Sequence, residues 1–315
     1  MRYFFIYIFF LLSFSFCQEQ IGIGLYENEL INYLQNNYKT TYTLSYDNAR
    51  DVLYSQIDNN ENNDVFCIYT NYYVTLPNNV DPSTYLYEND MNCEHLWPQS
   101  MFEVLSQNLM VSDMHHLRPC KQNVNVYRNN KPYGESIDFQ TNNWLWLNFN
   151  YSSPPSSNIN EYSENDDNLF EPREDVKGDI ARAMFYFYTI YTSEANDDFF
   201  EEQKNILYDW HLQDPIHSDE INRTWEIAAY QNNIPNPFIL DNTLVYRAYF
   251  YIEDSMSGDV NQDGTLNIVD IVILLNFIIG YGDLTAQEMQ IADQNLDGIV
   301  NVVDIVNFLN IILGE

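Results

Sequence analysis

A carboxylate and a histidine stand side by side in the stretch Asn92-Cys93-Glu94-His95-Leu96-Trp97-Pro98-Gln99-Ser100. Histidine is suited to activating water near neutral pH. Carboxylate and amide oxygens are ligands for Mg²⁺, and Asn125 offers an amide oxygen some 30 residues further on. Neighbouring side chains of an extended strand point to opposite sides, so a bend or loop is expected if Glu94 and His95 serve one site.

The charge distribution marks the region that follows. The 315-residue chain has 13 Lys and Arg against 46 Asp and Glu, a net charge of -33, which opposes binding nucleic acid by global electrostatics. Residues 114–134 nevertheless contain no acid and four bases. We expect this basic island to meet phosphate locally; the alternative is a surface turn that carries a few cations. Its basic residues are Arg118, Lys121, Arg128 and Lys131.

The C-terminal end carries a repeat with a period of 34 residues. Oxygen side chains at positions 1, 3, 5, 9 and 12, with Gly at position 6, fit an EF-hand-like calcium loop. An apolar helical run follows each loop, and the sequence predicts no EF-hand-length helix before either one. The predicted ligand residues, with position 7 included, are Asp259, Asn261, Asp263, Thr265, Asn267 and Asp270, and Asp293, Asn295, Asp297, Ile299, Asn301 and Asp304.

Both loops match the type I dockerin pattern at every ligand position, so residues 258–315 resemble a dockerin domain. The resemblance implies two Ca²⁺ ions and docking onto a cohesin-like scaffold or a cell-surface protein. Loop positions 10 and 11, which take part in recognition in that family, are Ile268-Val269 and Val302-Val303. They are more apolar than in many dockerins, which leaves self-association open as well.

The His95 stretch belongs to a longer series of motifs. Asp113-Met114-His115-His116-Leu117-Arg118-Pro119 follows it, and residues 123–134, 171–183 and 210–238 continue the series. In this order the motifs resemble the endonuclease I family, secreted nucleases of the His-Me finger (ββα-metal) type. The resemblance implies a strand bearing Glu94 and His95, a second strand near residues 114–117, and a helix bearing Asn125.

The same resemblance implies roles for individual residues. His95 is the general base, and Glu94 and Asn125 bind one Mg²⁺ or Mn²⁺ ion. Arg128 is assigned a catalytic role, and phosphate contacts are assigned to Arg118 and Lys121. His115 and His116 are expected to be structural. Some family members stabilise the leaving group with an arginine between the first two motifs, but residues 96–112 contain none.

The chain divides into four predicted segments. Residues 1–17 are apolar with one early Arg, which is typical of a signal peptide. The nuclease domain is expected over 18–253, a linker over 254–257 and an all-α dockerin over 258–315. The nuclease domain is predicted to be α+β, with helices after Pro172 and over 199–210 and 219–231. Secretion favours a disulfide, and Cys93–Cys120 is preferred over pairs with Cys67 because both flank the motif region.

Three functions remain in competition on sequence grounds. The first is a secreted, metal-dependent endonuclease that cuts DNA, and RNA as a second substrate, with little sequence preference, tethered through its dockerin and not integral to a membrane. The second is an inert binding or assembly protein, motivated by the missing arginine and the acidic charge. The third is a polysaccharide-degrading enzyme, suggested by the dockerin alone.

Overall fold

The computed structural model describes residues 20–103, 109–251, 258–261, 263–295 and 298–313. The predicted signal peptide, the predicted linker and the predicted ligand Asp297 lie outside the described residues. Within the described part of the chain, no helix is both long enough and apolar enough to span a bilayer.

Helices and short strands alternate irregularly along the chain. The helices are α1 (Glu27–Tyr38), α2 (Tyr46–Val52), α3 (Pro82–Glu88), α4 (Leu109–Ser112), α5 (Gln122–Arg128), α6 (Lys177–Ile190), α7 (Asp197–Gln213), α8 (Ser218–Ala228), α9 (Pro237–Leu240), α10 (Leu244–Tyr249), α11 (Ile268–Ile278), α12 (Ala286–Ala292) and α13 (Val302–Leu313). The strands are β1 (Asp64–Phe66), β2 (Tyr73–Thr75), β3 (Met91–His95), β4 (Leu117–Lys121), β5 (Asn143–Trp146), β6 (Phe149–Tyr151), β7 (Ser163–Asn165) and β8 (Phe170–Glu171).

The strands form small antiparallel sheets. Strand β1 pairs with β2, β3 pairs with β4, and a four-stranded sheet has the order β6-β5-β7-β8. The predicted α+β class is confirmed. Strand β3 carries Glu94 and His95, β4 runs back beside it, and α5 follows β4 directly. We call these three elements the ββα unit.

Helix α6 forms the centre of the core. It is buried on nearly all sides, and its two buried bases are paired with carboxylates, Lys177 with Glu171 and Arg182 with Glu220. It packs against α7, and Phe187 of α6 stacks on Trp97 with ring centroids 5.1 Å apart. Because Trp97 follows β3 by two residues, this contact fixes the end of the strand that bears His95. The helices predicted after Pro172 and over 199–210 and 219–231 correspond to α6, α7 and α8, the last of which ends at Ala228.

The C-terminal segment has its own core, in which Phe308 of α13 packs with Leu274 of α11 and with Val260. Gly264 and Gly298, at position 6 of each loop, have φ of +85° and +79°, a region that glycine enters without steric cost. The short helix α12, only seven residues long, leads into the second loop.

Two expectations are corrected. The second strand begins at Leu117 instead of covering residues 114–117, because Asp113 accepts a hydrogen bond from the His115 amide and caps a 3₁₀ turn there. The preferred Cys93–Cys120 pair is not formed. Cys120 lies opposite Asn92 in the sheet, so its side chain and that of Cys93 leave on opposite faces, and the Cys120 Sγ lies 4.0 Å from the Cys67 Sγ instead.

Candidate active site

Glu94 is buried in the ββα unit among hydrogen-bonding and cationic partners. Its Oε1 accepts a hydrogen bond from the Tyr69 hydroxyl at 2.9 Å, and the Tyr69 and Tyr133 hydroxyl oxygens are 2.6 Å apart. Burial raises the pKa of Glu94 to about 7, while Arg128 and the Tyr69 hydroxyl act to lower this pKa. This position therefore holds a carboxylate whose charge depends on a cation beside it.

Arg128 supplies one such cation. Its Nε lies 3.1 Å from Glu94 Oε1, an ion pair without hydrogen-bond geometry, and the side chain is fully buried. Its Nη2 donates to the Leu96 carbonyl at 2.8 Å, and its guanidinium lies 4.5 Å from the Tyr133 ring centroid. The guanidinium group therefore binds only protein groups in the described residues, and it links the Glu94 carboxylate to the Leu96 carbonyl just after β3.

His95 is the last residue of β3, and the chain bends immediately after it at residues 96–97. Its Nε2 lies 3.0 Å from the Val111 carbonyl oxygen, which can only accept, so Nε2 carries the proton and Nδ1 keeps a lone pair. Burial, together with His116 nearby, lowers the pKa of His95 to about 3. The ring is therefore neutral, and Nδ1 is a proton acceptor. The exposed Gln99 places its amide nitrogen 3.2 Å from each ring nitrogen.

Asn125 lies on the first turns of α5 and faces β3. Its amide nitrogen donates to Asn92 Oδ1 at 3.0 Å and to the Cys93 carbonyl at 3.2 Å. This anchoring leaves Oδ1 of Asn125 without a hydrogen-bond partner in the described chain, next to the strand that carries Glu94. Helix α5 ends at Arg128, and the C-cap residue Asn129 has a positive φ of +53°.

The donor set beside β3 fits a divalent cation with few protein ligands. One carboxylate, Glu94, and one amide oxygen, from Asn125, are hard oxygen donors of the kind that Mg²⁺ takes while keeping several waters. Within the described residues, no three His, Cys, Asp or Glu side chains converge on one point. The arrangement therefore fits a metal held partly by water and substrate oxygens.

The remaining predicted phosphate contacts are less accessible than the sequence suggested. Lys121 donates to Asn148 Oδ1 at 2.5 Å, and its ammonium lies 4.5 Å from the Tyr72 ring centroid. Arg118 is buried and lines a small cavity with Glu220 and Arg223. The structure thus brings Glu94 and Arg128 into contact and holds Asn125 against β3. His95 follows Glu94 in the same strand, where neighbouring side chains leave on opposite sides, and its ring meets Val111 and Tyr46. Arg118 and Lys121 lie in internal contacts.

His115 and His116 are buried and hydrogen-bonded to backbone carbonyls. The Nε2 of His115 lies 3.0 Å from the Ile234 oxygen, and that of His116 lies 2.7 Å from the Met110 oxygen. Asp113 beside them accepts hydrogen bonds from the hydroxyls of Tyr186 and Tyr191, both at 2.8 Å. These contacts join the turn before β4 to α6 and its C-terminal end.

Two groups near the site were not anticipated from the sequence. Tyr69 lies 25 positions before Glu94, outside every motif, so no local signal could have found it. Arg50 of α2 stacks on Tyr46 with its guanidinium carbon 4.6 Å from the ring centroid, and Tyr46 stacks on His95 at 5.3 Å. The side chain of Arg50 is 21% exposed. Arg50 therefore lies near the His95 ring as a partly solvent-accessible cation whose Nη2 is paired with the exposed Asp47 at 2.5 Å.

In the first candidate calcium loop, backbone amides donate hydrogen bonds to the carboxylates of the loop itself. The Gly264 amide donates to Asp259 at 2.7 Å, and the Asn267 amide donates to Asp270 at 2.8 Å. Asp270 is fully buried. In the second loop the Gly298 amide donates to Asp293 at 2.7 Å, so both loops hold the first carboxylate in the same way. Buried carboxylates with oxygen-rich neighbours fit a hard cation such as Ca²⁺.

Comparison with known proteins places this geometry in a family. Residues 26–243 match the Endonuclease I family, a span that includes the whole ββα unit. The chain belongs to the endonuclease I family. Residues 257–313 match the Dockerin type I domain, so this endonuclease I member carries a dockerin behind its nuclease-like part.

Two curated relatives agree with this assignment. The chain is 33% identical over 164 residues to an extracellular ribonuclease of Bacillus subtilis (strain 168), covering 48% of this chain and 51% of that protein. It is also 33% identical over 164 residues to an extracellular ribonuclease of Bacillus amyloliquefaciens, covering 48% of this chain and 50% of that protein. The chain thus matches about half the length of these relatives.

Proposed function

We propose that the protein is a secreted, metal-dependent endonuclease that hydrolyses phosphodiester bonds of DNA and RNA with little sequence preference. The observation that carries the proposal is the neutral His95, whose Nε2 proton is held by the Val111 carbonyl, at the end of the strand that also bears Glu94 and to which Asn125 is hydrogen-bonded. Membership of the endonuclease I family supports it, and so do the extracellular ribonuclease relatives. In this proposal β3, β4 and α5 act as a His-Me finger.

Each of these residues has a separate role in the proposed hydrolysis. Nδ1 of His95 accepts the proton of the attacking water, while the Val111 carbonyl keeps the ring in the required tautomer. Glu94 and the Asn125 amide oxygen would hold a Mg²⁺ or Mn²⁺ ion, which supplies stabilisation of charge on the phosphate and the leaving oxygen. Arg128 keeps Glu94 ionised and oriented. Such contacts to phosphate carry no base sequence information directly, which agrees with low specificity.

Arg50 is the proposed cation that faces the substrate phosphate. It is more exposed than Arg118, Lys121 and Arg128, which are each buried in protein contacts. Its stacking on Tyr46, which itself stacks on His95, sets it on the side of the base. In this proposal Arg50 fills the position left open by the absence of arginine from residues 96–112.

The dockerin is proposed to bind two Ca²⁺ ions and to tether the enzyme to a cohesin-like scaffold or a cell-surface protein. Support comes from the family match over residues 257–313 and from the apolar side chains exposed on α11 and α13. Ile268 and Val302, at position 10 of the two loops, are 61% and 63% exposed. Two equivalent apolar surfaces are suited to contact with a partner.

The test is cleavage of supercoiled plasmid and of a structured RNA with Mg²⁺, with Ca²⁺ alone and with EDTA. We expect nicking in Mg²⁺ that EDTA abolishes, and Glu94→Gln and Asn125→Ala are expected to lower the rate strongly. Asn123→Ala is the matched control, because Asn123 is an exposed asparagine on the same helix. Intact DNA and RNA under every condition would refute the proposal.

A further inference from the structure

Four aromatic side chains form a partly exposed cluster around the β5–β6 hairpin, which we call the aromatic face. Trp146 stacks on Phe149 with centroids 6.0 Å apart, and Phe149 stacks on Tyr151 at 5.7 Å with ring planes only 10° apart. Tyr162 completes the cluster, with its ring centroid 5.6 Å from that of Trp146 and 6.2 Å from that of Tyr151. Phe149 is 48% exposed and Tyr151 42% exposed, so large flat surfaces meet solvent.

The aromatic face is attached to the residues around the candidate active site. Three hydrogen bonds make the connection: Leu147 N to Thr70 O (2.7 Å), Lys121 Nζ to Asn148 Oδ1 (2.5 Å) and Asn150 Nδ2 to Tyr127 Oη (3.0 Å). Tyr127 lies on α5 two residues after Asn125, about 3 Å further along the helix axis and on a different side of the helix. Thr70 follows Tyr69, the hydrogen-bond partner of Glu94. A strand of nucleic acid that passes the ββα unit therefore has the aromatic face within reach.

The electrostatics of the chain make such a surface useful for holding substrate. The net charge is -33, and Arg118, Lys121 and Arg128 are buried in protein contacts. Neutralising phosphates is the usual source of affinity for nucleic acid, and the basic island offers little of it at the surface. Stacking of bases on aromatic rings is a second source, which tolerates any base because each has a flat π face.

We propose that the aromatic face binds unpaired bases of single-stranded nucleic acid by stacking, beside the bond to be cut. The bases of a duplex are already stacked on one another and do not offer free faces, so the surface favours single strands over duplexes. This inference rests on the proposed nuclease function and adds a substrate class to it. Sugar rings of a polysaccharide also pack on flat aromatic side chains, so the test includes binding of an oligosaccharide.

The experiment measures binding separately from cleavage. In a His95→Ala background with Ca²⁺ present, fluorescence anisotropy compares a labelled 12-nucleotide single strand with a 12-base-pair duplex. Replacing Phe149 and Tyr151 by Ala is expected to weaken single-strand binding about tenfold, which corresponds to about 1.4 kcal/mol, and to leave duplex binding unchanged. We expect the single strand to quench the tryptophan fluorescence of the parent, and Trp146→Phe to remove most of that quenching.

Matched controls separate this role from a structural one. Replacing Tyr42 and Trp225, which are 53% and 50% exposed and lie outside the aromatic face, is expected to change neither affinity. Phe149→Leu with Tyr151→Leu keeps the apolar bulk but removes the flat rings. This variant should also bind single strands about tenfold more weakly than the parent. The result therefore does not depend on whether the alanine variant folds.

Two outcomes overturn the inference. The first is equal single-strand affinity in the parent and both aromatic-face variants. The second is binding of a cello- or xylo-oligosaccharide by the parent that the variants lose, without a change for single strands. If the wild-type protein still cuts plasmid in either case, only this inference fails; if it cuts no nucleic acid at all, the proposed function fails too.

Discussion

The buried pair of Glu94 and Arg128 gives a quantitative prediction. The pair lies 3.1 Å apart, and an effective dielectric constant of about 20 gives about 5 kcal/mol of attraction at that distance. Desolvation offsets much of this, but removing one partner leaves the other charge buried and alone, which costs about 3–5 kcal/mol. Arg128→Met is therefore expected to lower the free energy of unfolding by that amount.

The assay is a double-mutant cycle of Arg128→Met and Glu94→Gln in urea at constant Ca²⁺. All five tryptophans precede residue 258, so tryptophan fluorescence follows the nuclease part and not the dockerin. We expect the double variant to be more stable than the sum of the single losses implies, by about 2–3 kcal/mol. The same cycle on the surface pair of Lys204 and Glu201, 2.7 Å apart, should give at most about 0.5 kcal/mol. Additive losses for Glu94 and Arg128 would refute the role given to Arg128.

Three further predictions concern separate parts of the chain. Air-oxidised protein should lose two thiols to a link between Cys67 and Cys120 and keep Cys93 free, as peptide mapping by mass spectrometry will establish; a link that includes Cys93 contradicts the structure. Arg50→Ala should lower kcat about 100-fold, with partial recovery in Arg50→Lys, and an unchanged kcat would remove Arg50 from the site. Asp270→Ala should reduce the calcium stoichiometry measured by calorimetry from two to one, and an unchanged value would show that the first loop is not a site.

The local parts of the fold followed from the sequence because their determinants are close together in the chain. Strand β3 at Glu94 and His95 and helix α5 at Asn125 lie where the motifs predicted them. Helix α6 was predictable because an apolar stretch with acids and a proline at its start dictates a buried helix. The glycines at position 6 of the loops predicted a backbone with positive φ at that position.

Contacts between distant segments were not predictable in the same way. Tyr69 meets Glu94 only because β1, β2 and the ββα unit pack together. The choice of Cys67 over Cys93 as the neighbour of Cys120 depends on the strand register, which the spacing of cysteines does not contain.

The solvent exposure of the basic side chains could not be predicted from the sequence either. Arg118 and Lys121 read as a surface island, because a run of bases without acids is normally solvated. The fold instead buries both side chains among partners supplied by other segments, such as Asn148 for Lys121. Arg50, which lies outside the island, is more accessible.

The most direct test of the account is plasmid cleavage by His95→Ala in Mg²⁺ with and without added imidazole. If Nδ1 of His95 accepts the proton of water, the variant should lose activity by a factor of about 10²–10⁴, and imidazole should restore part of it while wild-type activity stays unchanged. A variant that cuts at the wild-type rate, with the same dependence on Mg²⁺, would contradict the central claim.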